Sequence, residues 1–287
     1  MNFLVLSFLF FITPFSFAAY NDSLARKIIL PMSSAAYSDT PQNCVERIFG
    51  SSGSFGRQVS VACDLASNDR CAGFTAVSHA DKAIIIAFRG STGFLQLAQE
   101  ATGEIFNQPV PFYTGGSVSS YFYTAFSDVW LKGLKDSFFS LKNSNPTYKV
   151  IVTGHSLGGA MANLCAATIV ASGYVPSNNI VLYTMGEPRV GNDDYVVGYD
   201  HLNIESYRII HKRDLVPHLP PDHLFGYKHH KEEIYYNNNM TPGSSYKTCK
   251  GDDTSKCSSS TVDLSINDHL HYFDTDVSGY GEGGCIA

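Results

Sequence analysis

The feature that most constrains this chain is a turn, Gly154-His155-Ser156-Leu157-Gly158-Gly159, set between two contrasting segments. Residues 148–153, YKVIVT, read as a short buried strand. Residues 156–172 are rich in Ala and Leu and read as a helix. A G-x-S-x-G match alone arises by chance; between a strand and a helix it is specific. So sharp a reversal strains the serine backbone, and the positions two before and two after it must be glycine to avoid clashing. The strain lifts the hydroxyl clear of the sheet. The helix starting there aims its free N–H groups and positive dipole end at the same point. Ser156 is therefore the candidate nucleophile. His155 touches it in sequence, but a neighbour in an elbow points elsewhere, so it reads as structural.

Other segments supply the frame. Residues 73–79 and 82–89 read as strands joined by a turn at Ala80-Asp81, and AIIIAF is apolar on both faces, as in a strand covered by helices. Residues 24–37 read as a helix followed by a turn at Pro41. The Gly/Ser/Asn-rich stretch 46–71 reads as loop with short strands, and Gly, Pro and Ser break up residues 92–123. Phe126, Val129, Trp130, Leu134, Phe138 and Leu141 recur at helical spacing. Residues 180–185 and 204–210 are further buried strands, and after Asp222 the chain turns polar and loop-rich. This alternation predicts a mostly parallel α/β sheet with helices on both faces. With no repeat or linker in 287 residues, residues 19–287 form one expected domain.

Residues 3–17 are almost unbroken apolar sequence ending at Ser16-Phe17-Ala18, so residues 1–18 read as a signal peptide cleaved after Ala18. The run is short for a membrane span and carries Thr13 and Pro14. No later stretch is apolar enough to cross a bilayer. The composition, 44% apolar and 16% charged, is globular. A net charge of −6 without a basic run excludes a nucleic-acid footprint and weighs against charge-driven membrane docking. Seven cysteines agree with an extracellular protein. Cys165 lies in an apolar helical run and reads as a buried, inert thiol. The other six leave their pairing open. Asn21-Asp22-Ser23 and Asn239-Met240-Thr241 are candidate glycosylation sites.

A nucleophilic serine needs a histidine base and a carboxylate to orient it, and behind such an elbow the chain order is Ser, Asp or Glu, then His. Asp214, in HKRDLVPHLPP, lies just past a strand, where catalytic groups of open α/β sheets gather. Pro217, Pro220 and Pro221 stiffen the loop after it. Asp193, Asp194, Asp200 and Asp222 compete as ordinary surface charges. DHLHYF offers His269 and His271 as the base, and position alone leaves both open. His211, His218 and His223 with Asp222 fit no metal-ligand spacing and read as loop histidines. An oxyanion hole is expected from the Leu157 amide and from Ser91, at the end of AIIIAFRGS.

Five blocks in order, IIIAFRGS, YKVIVTGHSLGGAMANLCA, MGEPRVGN, RIIHKRDLVPHLPP with FGYKHHKEEIYY, and DHLHYF, span residues 83–273. Together they resemble the fungal-type triacylglycerol lipases, the class 3 lipases. The resemblance implies the α/β-hydrolase fold, with Ser156 as nucleophile, Asp214 as acid and His269 as base, His271 being its neighbour. It implies an oxyanion hole from Ser91, through hydroxyl and amide, and the Leu157 amide. It implies disulfides Cys44–Cys285, Cys63–Cys71 and Cys249–Cys257, with Cys165 left free. A lid follows the oxyanion serine in this family. Here that is about residues 93–105, with Phe94, Leu95, Leu97 and Ala98 apolar and Gln96, Gln99 and Glu100 polar. The chain departs from the family in lacking a lid tryptophan, its sole Trp130 lying in a later helix, and in a longer tail over residues 274–285. These departures bear on interfacial activation and substrate choice rather than on the chemistry.

The sequence thus leads us to expect a secreted serine esterase acting on lipid esters at a lipid–water interface through an acyl-enzyme. It is expected to be monomeric and to need no metal or cofactor. A phospholipase A1 or a feruloyl-type esterase on the same scaffold is the alternative. From another class the alternative is an inactive lipid-binding protein.

Overall fold

Along AIIIAF, Ile84, Ile86 and Phe88 fall into one apolar cluster and Ile85 and Ala87 into another, as the two-residue period of a strand requires. All six residues are buried, each large apolar side chain contributing about 1.5–3 kcal/mol. This strand is therefore covered on both faces. The computed structural model describes residues 19–63, 70–91, 106–221, 226–250 and 256–286. The expected leader at 1–18, the expected lid residues Phe94, Leu95 and Leu97, and Asp222 and His223 lie outside the described residues.

The main sheet has eight strands: β1 (Gly53–Ala62), β2 (Arg70–Ser78), β3 (Ala83–Phe88), β4 (Lys149–His155), β5 (Ile180–Met185), β6 (Glu205–His211), β7 (Glu233–Tyr236) and β8 (Lys247–Cys249). They lie side by side in chain order. From β3 to β7 they run parallel; β1, β2 and β8 are antiparallel to their neighbours. The mostly parallel sheet agrees with the expected fold class. A smaller antiparallel sheet joins Pro109–Pro111, Ser117–Ser119, Gly191–Asn192 and Tyr227–Lys228.

The N-terminal helical run begins with α1 (Asp22–Leu24), passes a π-turn at Ala25–Ile29 and continues as α2 (Leu30–Ala35). With α3 (Gln42–Phe49) and the C-terminal α9 (Val277–Glu282), it covers the face that carries Ile85. The opposite face is covered by α4 (Ser120–Val129), α5 (Lys135–Ser144), α6 (Leu157–Ala171) and α7 (Asp193–His201). The short helix α8 (Ile266–Leu270) stands at the carboxyl ends of the parallel strands, against His155 and His211.

Three segments differ from the sequence reading. Within the expected loop 46–71, β1 is a ten-residue edge strand with Val59 and Val61 inward and Ser60 and Ala62 outward. Its Gly and Ser content is tolerated because only part of the strand faces the core. The helix read over 126–141 begins at Ser120 and is broken by a π-turn, Trp130–Leu134, where Gly133 takes φ 131°. The polar stretch after Asp222 contains β7, whose four residues are all buried. Its Glu233 is accommodated by Arg208 at 3.7 Å and by the Ser258 amide at 2.9 Å.

Three disulfides join Cys44 to Cys285, Cys63 to Cys71 and Cys249 to Cys257. Cys165 is free and buried, and burial pushes its thiol pKa well up. Asn21 caps α1 through the Leu24 amide at 3.0 Å, and Asn239 is exposed, taking a hydrogen bond from Lys212. Among the described residues no helix is long and apolar enough to cross a membrane.

Candidate active site

Ser156 sits between the end of β4 and the first turn of α6 with φ 60° and ψ −131°, the strained geometry an elbow demands. Its amide donates to the Met185 carbonyl at 2.9 Å, tying the elbow to the end of β5. The flanking glycines are steric necessities. A Cβ on Gly154 would lie 2.1 Å from the Gly158 carbonyl oxygen, and one on Gly158 would lie 2.3 Å from that of Phe88. The first turn of α6 thus packs directly on the end of β3. That contact sets the residue after Leu157 against Phe88 and Arg89, and Ser91, three residues past the end of β3, is buried at 3% exposure.

Asp214 lies three residues beyond β6 and is fully buried. His269, in α8, donates Nδ1–H to it, with 2.8 Å to Oδ1 and 3.0 Å to Oδ2. Two further donors complete the carboxylate. The Tyr272 hydroxyl reaches Oδ2 at 2.5 Å and the Val216 amide reaches Oδ1 at 2.8 Å. Burial alone would raise the Asp214 pKa. The His269 charge and these hydrogen bonds outweigh it and hold the carboxyl below its ordinary value.

A backbone zipper keeps α8 in place. The Ser265 amide donates to the Arg213 carbonyl at 2.7 Å, the Leu215 amide to that of Ser265 at 3.3 Å, and the Ser265 hydroxyl caps the Asp268 amide at 3.1 Å. His271, two residues on, instead donates Nδ1–H to the Asn267 carbonyl at 2.8 Å and faces away from Asp214.

Among the described residues neither Ser156 Oγ nor His269 Nε2 has a hydrogen-bond partner, although both are buried. They are not hydrogen-bonded to each other here; catalytic contacts of this kind commonly tighten when substrate binds. The two groups nevertheless share one end of the sheet, and the His155 ring next to Ser156 stacks on the His269 ring with centroids 4.5 Å apart.

The other candidates go elsewhere. Asp193 and Asp194 are exposed in the first turn of α7, and Asp200 pairs with Lys231 at 3.2 Å. His211 bonds the Asp268 carbonyl. Among the described residues no group of three or more His, Cys, Asp or Glu is arranged to hold a metal ion. The residue that sequence reasoning passed over is Tyr272. It sits inside the DHLHYF block, and a buried tyrosine hydroxyl needs a partner, which is the signal that could have found it.

Comparison with known proteins bears on this arrangement. Residues 85–224 match the family model described as Lipase (class 3). A lipase of Caenorhabditis elegans is 35% identical over 93% of this chain and 83% of its own length. A secreted mono- and diacylglycerol lipase of Fusarium solani is 34% identical over 70% of this chain, which spans 60% of that protein's length. The solved structure of the Rhizomucor miehei triacylglyceride lipase superposes with a TM-score of 0.77 at 28% identity, covering 91% of this chain and 97% of that one.

Proposed function

The chain belongs to the class 3 lipases, an α/β-hydrolase family, and from that premise we propose that it is a triacylglycerol lipase-like serine esterase using Ser156, Asp214 and His269. One observation carries the assignment of roles. His269 is fixed by Asp214 at 2.8 Å, and the strained Ser156 carries a buried hydroxyl with no partner among the described residues. Because Nδ1–H is donated to the carboxylate, the unprotonated ring has its lone pair on Nε2. That atom takes the Ser156 proton as Oγ attacks the ester carbonyl. Asp214 holds the ring and stabilises the imidazolium. The Leu157 amide and Ser91 receive the developing oxyanion. The alcohol leaves with the proton from His269, and water then cleaves the acyl-enzyme by the same path in reverse.

On this reading the chain acts as one domain over residues 19–287 and works as a secreted monomer at a lipid–water interface. The apolar residues Phe94, Leu95 and Leu97 serve in a lid. Secretion is supported by the apolar leader and by the Fusarium relative, whose name describes it as secreted.

The test compares an emulsified long-chain triacylglycerol, a diacylglycerol and a soluble short-chain ester, with the Ser156→Ala protein as control. The expected outcome is hydrolysis of the emulsion that rises once an interface forms and falls by about 10⁶ in kcat without Ser156. Turnover of the soluble ester alone would remove the lipid substrate from the proposal, and equal turnover by Ser156→Ala would remove the serine mechanism.

A further inference from the structure

The mechanism gives His155 no step, yet this residue is built in as tightly as the triad. It is 2% exposed. Nε2 lies 2.8 Å from the main-chain oxygen of His269, and Nδ1 lies 2.7 Å from the Tyr37 hydroxyl. Its ring is inclined 28° to that of His269.

The hydrogens can be assigned by elimination. A carbonyl oxygen only accepts, so Nε2 carries a proton. Burial, and then the nearby His269, hold the His155 pKa down to about 3, so the ring is neutral and Nδ1 offers a lone pair. The Tyr37 hydroxyl therefore donates to Nδ1 and fixes the tautomer. The titratable groups facing the ring are His269, Asp214, Tyr37 and Tyr272.

The acceptor explains why this matters. His269 belongs to α8, a helix of five residues. So short a helix leaves most of its carbonyls without internal partners and is unstable by itself. Two successive carbonyls are taken by buried imidazoles from strand ends. That of Asp268 receives His211 Nδ1 at 3.0 Å from β6, and that of His269 receives His155 Nε2 from β4. Since His155 and Ser156 are consecutive, a single hydrogen bond from the side chain preceding the nucleophile reaches the main chain of the base. The stacked ring, being uncharged, also sets no like charge against the imidazolium formed during turnover.

We propose that His155 is a positioning residue: its Nε2–H, donated to the His269 carbonyl, holds α8 and the plane of the reacting imidazole in register with Ser156. The inference rests on the reading of His269 as the base. The experiment measures steady-state hydrolysis of a soluble short-chain ester by His155→Leu and His155→Gln, since Gln keeps an N–H donor near the Nε2 position and Leu does not. A misplacement of the base by about 1 Å costs on the order of 10². We expect His155→Leu to lose about 10²-fold in kcat with KM within about twofold, and His155→Gln to recover at least about tenfold of that loss. An unimpaired Leu variant, or equal loss in both variants, overturns the positioning role.

Nitrogen-15 NMR of the ring-labelled wild-type protein tests the same claim without a variant. The expected signature is a protonated Nε2 and a bare Nδ1 from about pH 5 to about pH 8. A cationic ring or a protonated Nδ1 over that range overturns the proposal. No Ser156-dependent turnover by the wild-type chain would overturn the esterase reading itself, an outcome separable from normal turnover with an unimpaired Leu variant.

Discussion

At Asp214, burial and hydrogen bonding oppose each other, and hydrogen bonding with the His269 charge prevails. The consequence is testable through Tyr272, whose hydroxyl is held protonated by its own burial and reaches Oδ2 at 2.5 Å. A hydrogen bond to a charged group contributes about 1.5–3 kcal/mol, so Tyr272→Phe should lose about that much stability near neutral pH. The sign of its pH dependence follows from the direction of the shift. A carboxyl whose folded pKa is depressed contributes stability that is fully present above its unfolded pKa, about 3.9, and is lost as pH falls through the folded value. The gap between wild type and Tyr272→Phe should therefore narrow as pH drops below about 4. Denaturant titrations at neutral and acid pH measure it, and a gap that stays constant would show that the hydroxyl serves packing rather than the carboxylate. The site's readability followed the same physics. Ser156 announces itself because an elbow restricts its neighbours to glycine, and Asp214 because strand ends collect reacting groups. His269 and His271 could not be separated by position, since which of them meets Asp214 depends on how α8 docks. Tyr272 escaped because an aromatic residue in an apolar block looks like core until its hydroxyl is followed to a partner.

Among the elements, the strands that could be read were those buried on both faces. AIIIAF and IVLYTM carry enough β-branched and apolar residues to announce themselves without context. β1 and β7 could not be read this way. The first is an edge strand of GSFGRQVSVA, whose Gly and Ser are compatible with a solvent-facing side; the second is four residues flanked by charges. The break between α4 and α5 was hidden for a different reason. The apolar residues on both sides of Gly133 keep roughly helical spacing in the sequence, so the periodicity runs on across the kink that Gly133 introduces. Gly133 holds the conformation that makes this possible, with φ 131° and ψ −6°, a region that L side chains rarely enter. Gly133→Ala should therefore cost about 1–3 kcal/mol. The adjacent Lys132, whose side chain is 61% exposed, should change stability by less than about 0.5 kcal/mol on replacement by Ala. Thermal unfolding of the two variants separates backbone strain from helix propensity. Equal, small effects would mean the π-turn relaxes into regular helix at little cost.

For the molecule as a whole, the decisive contact is between its two ends. The first helices and α9 pack together on one face of the sheet, so closely that a Cβ on Gly281 would overlap the Ser34 carbonyl. Cys44–Cys285 locks this contact across a sequence separation of 241, whereas Cys249–Cys257 closes a separation of only 8. In the chain-entropy account a crosslink stabilises by restricting the unfolded chain, in proportion to the logarithm of the loop it closes. That gives roughly 5 kcal/mol for the long loop and about 2.5 kcal/mol for the short one. The Cys44→Ser/Cys285→Ser protein should therefore be destabilised about twice as much as Cys249→Ser/Cys257→Ser, measured by denaturant unfolding without reductant. The same face carries Tyr37, the residue that fixes the His155 tautomer, just past the end of α2. Loosening the chain ends should thus reach the proposed active site through Tyr37. The long-loop variant should lose activity at a lower temperature than its global unfolding, while the short-loop variant should lose both together. Coincident loss in both proteins would show that the ends stabilise the fold without tuning the site, and equal destabilisation would show that strain or residual unfolded structure, rather than loop length, governs these crosslinks.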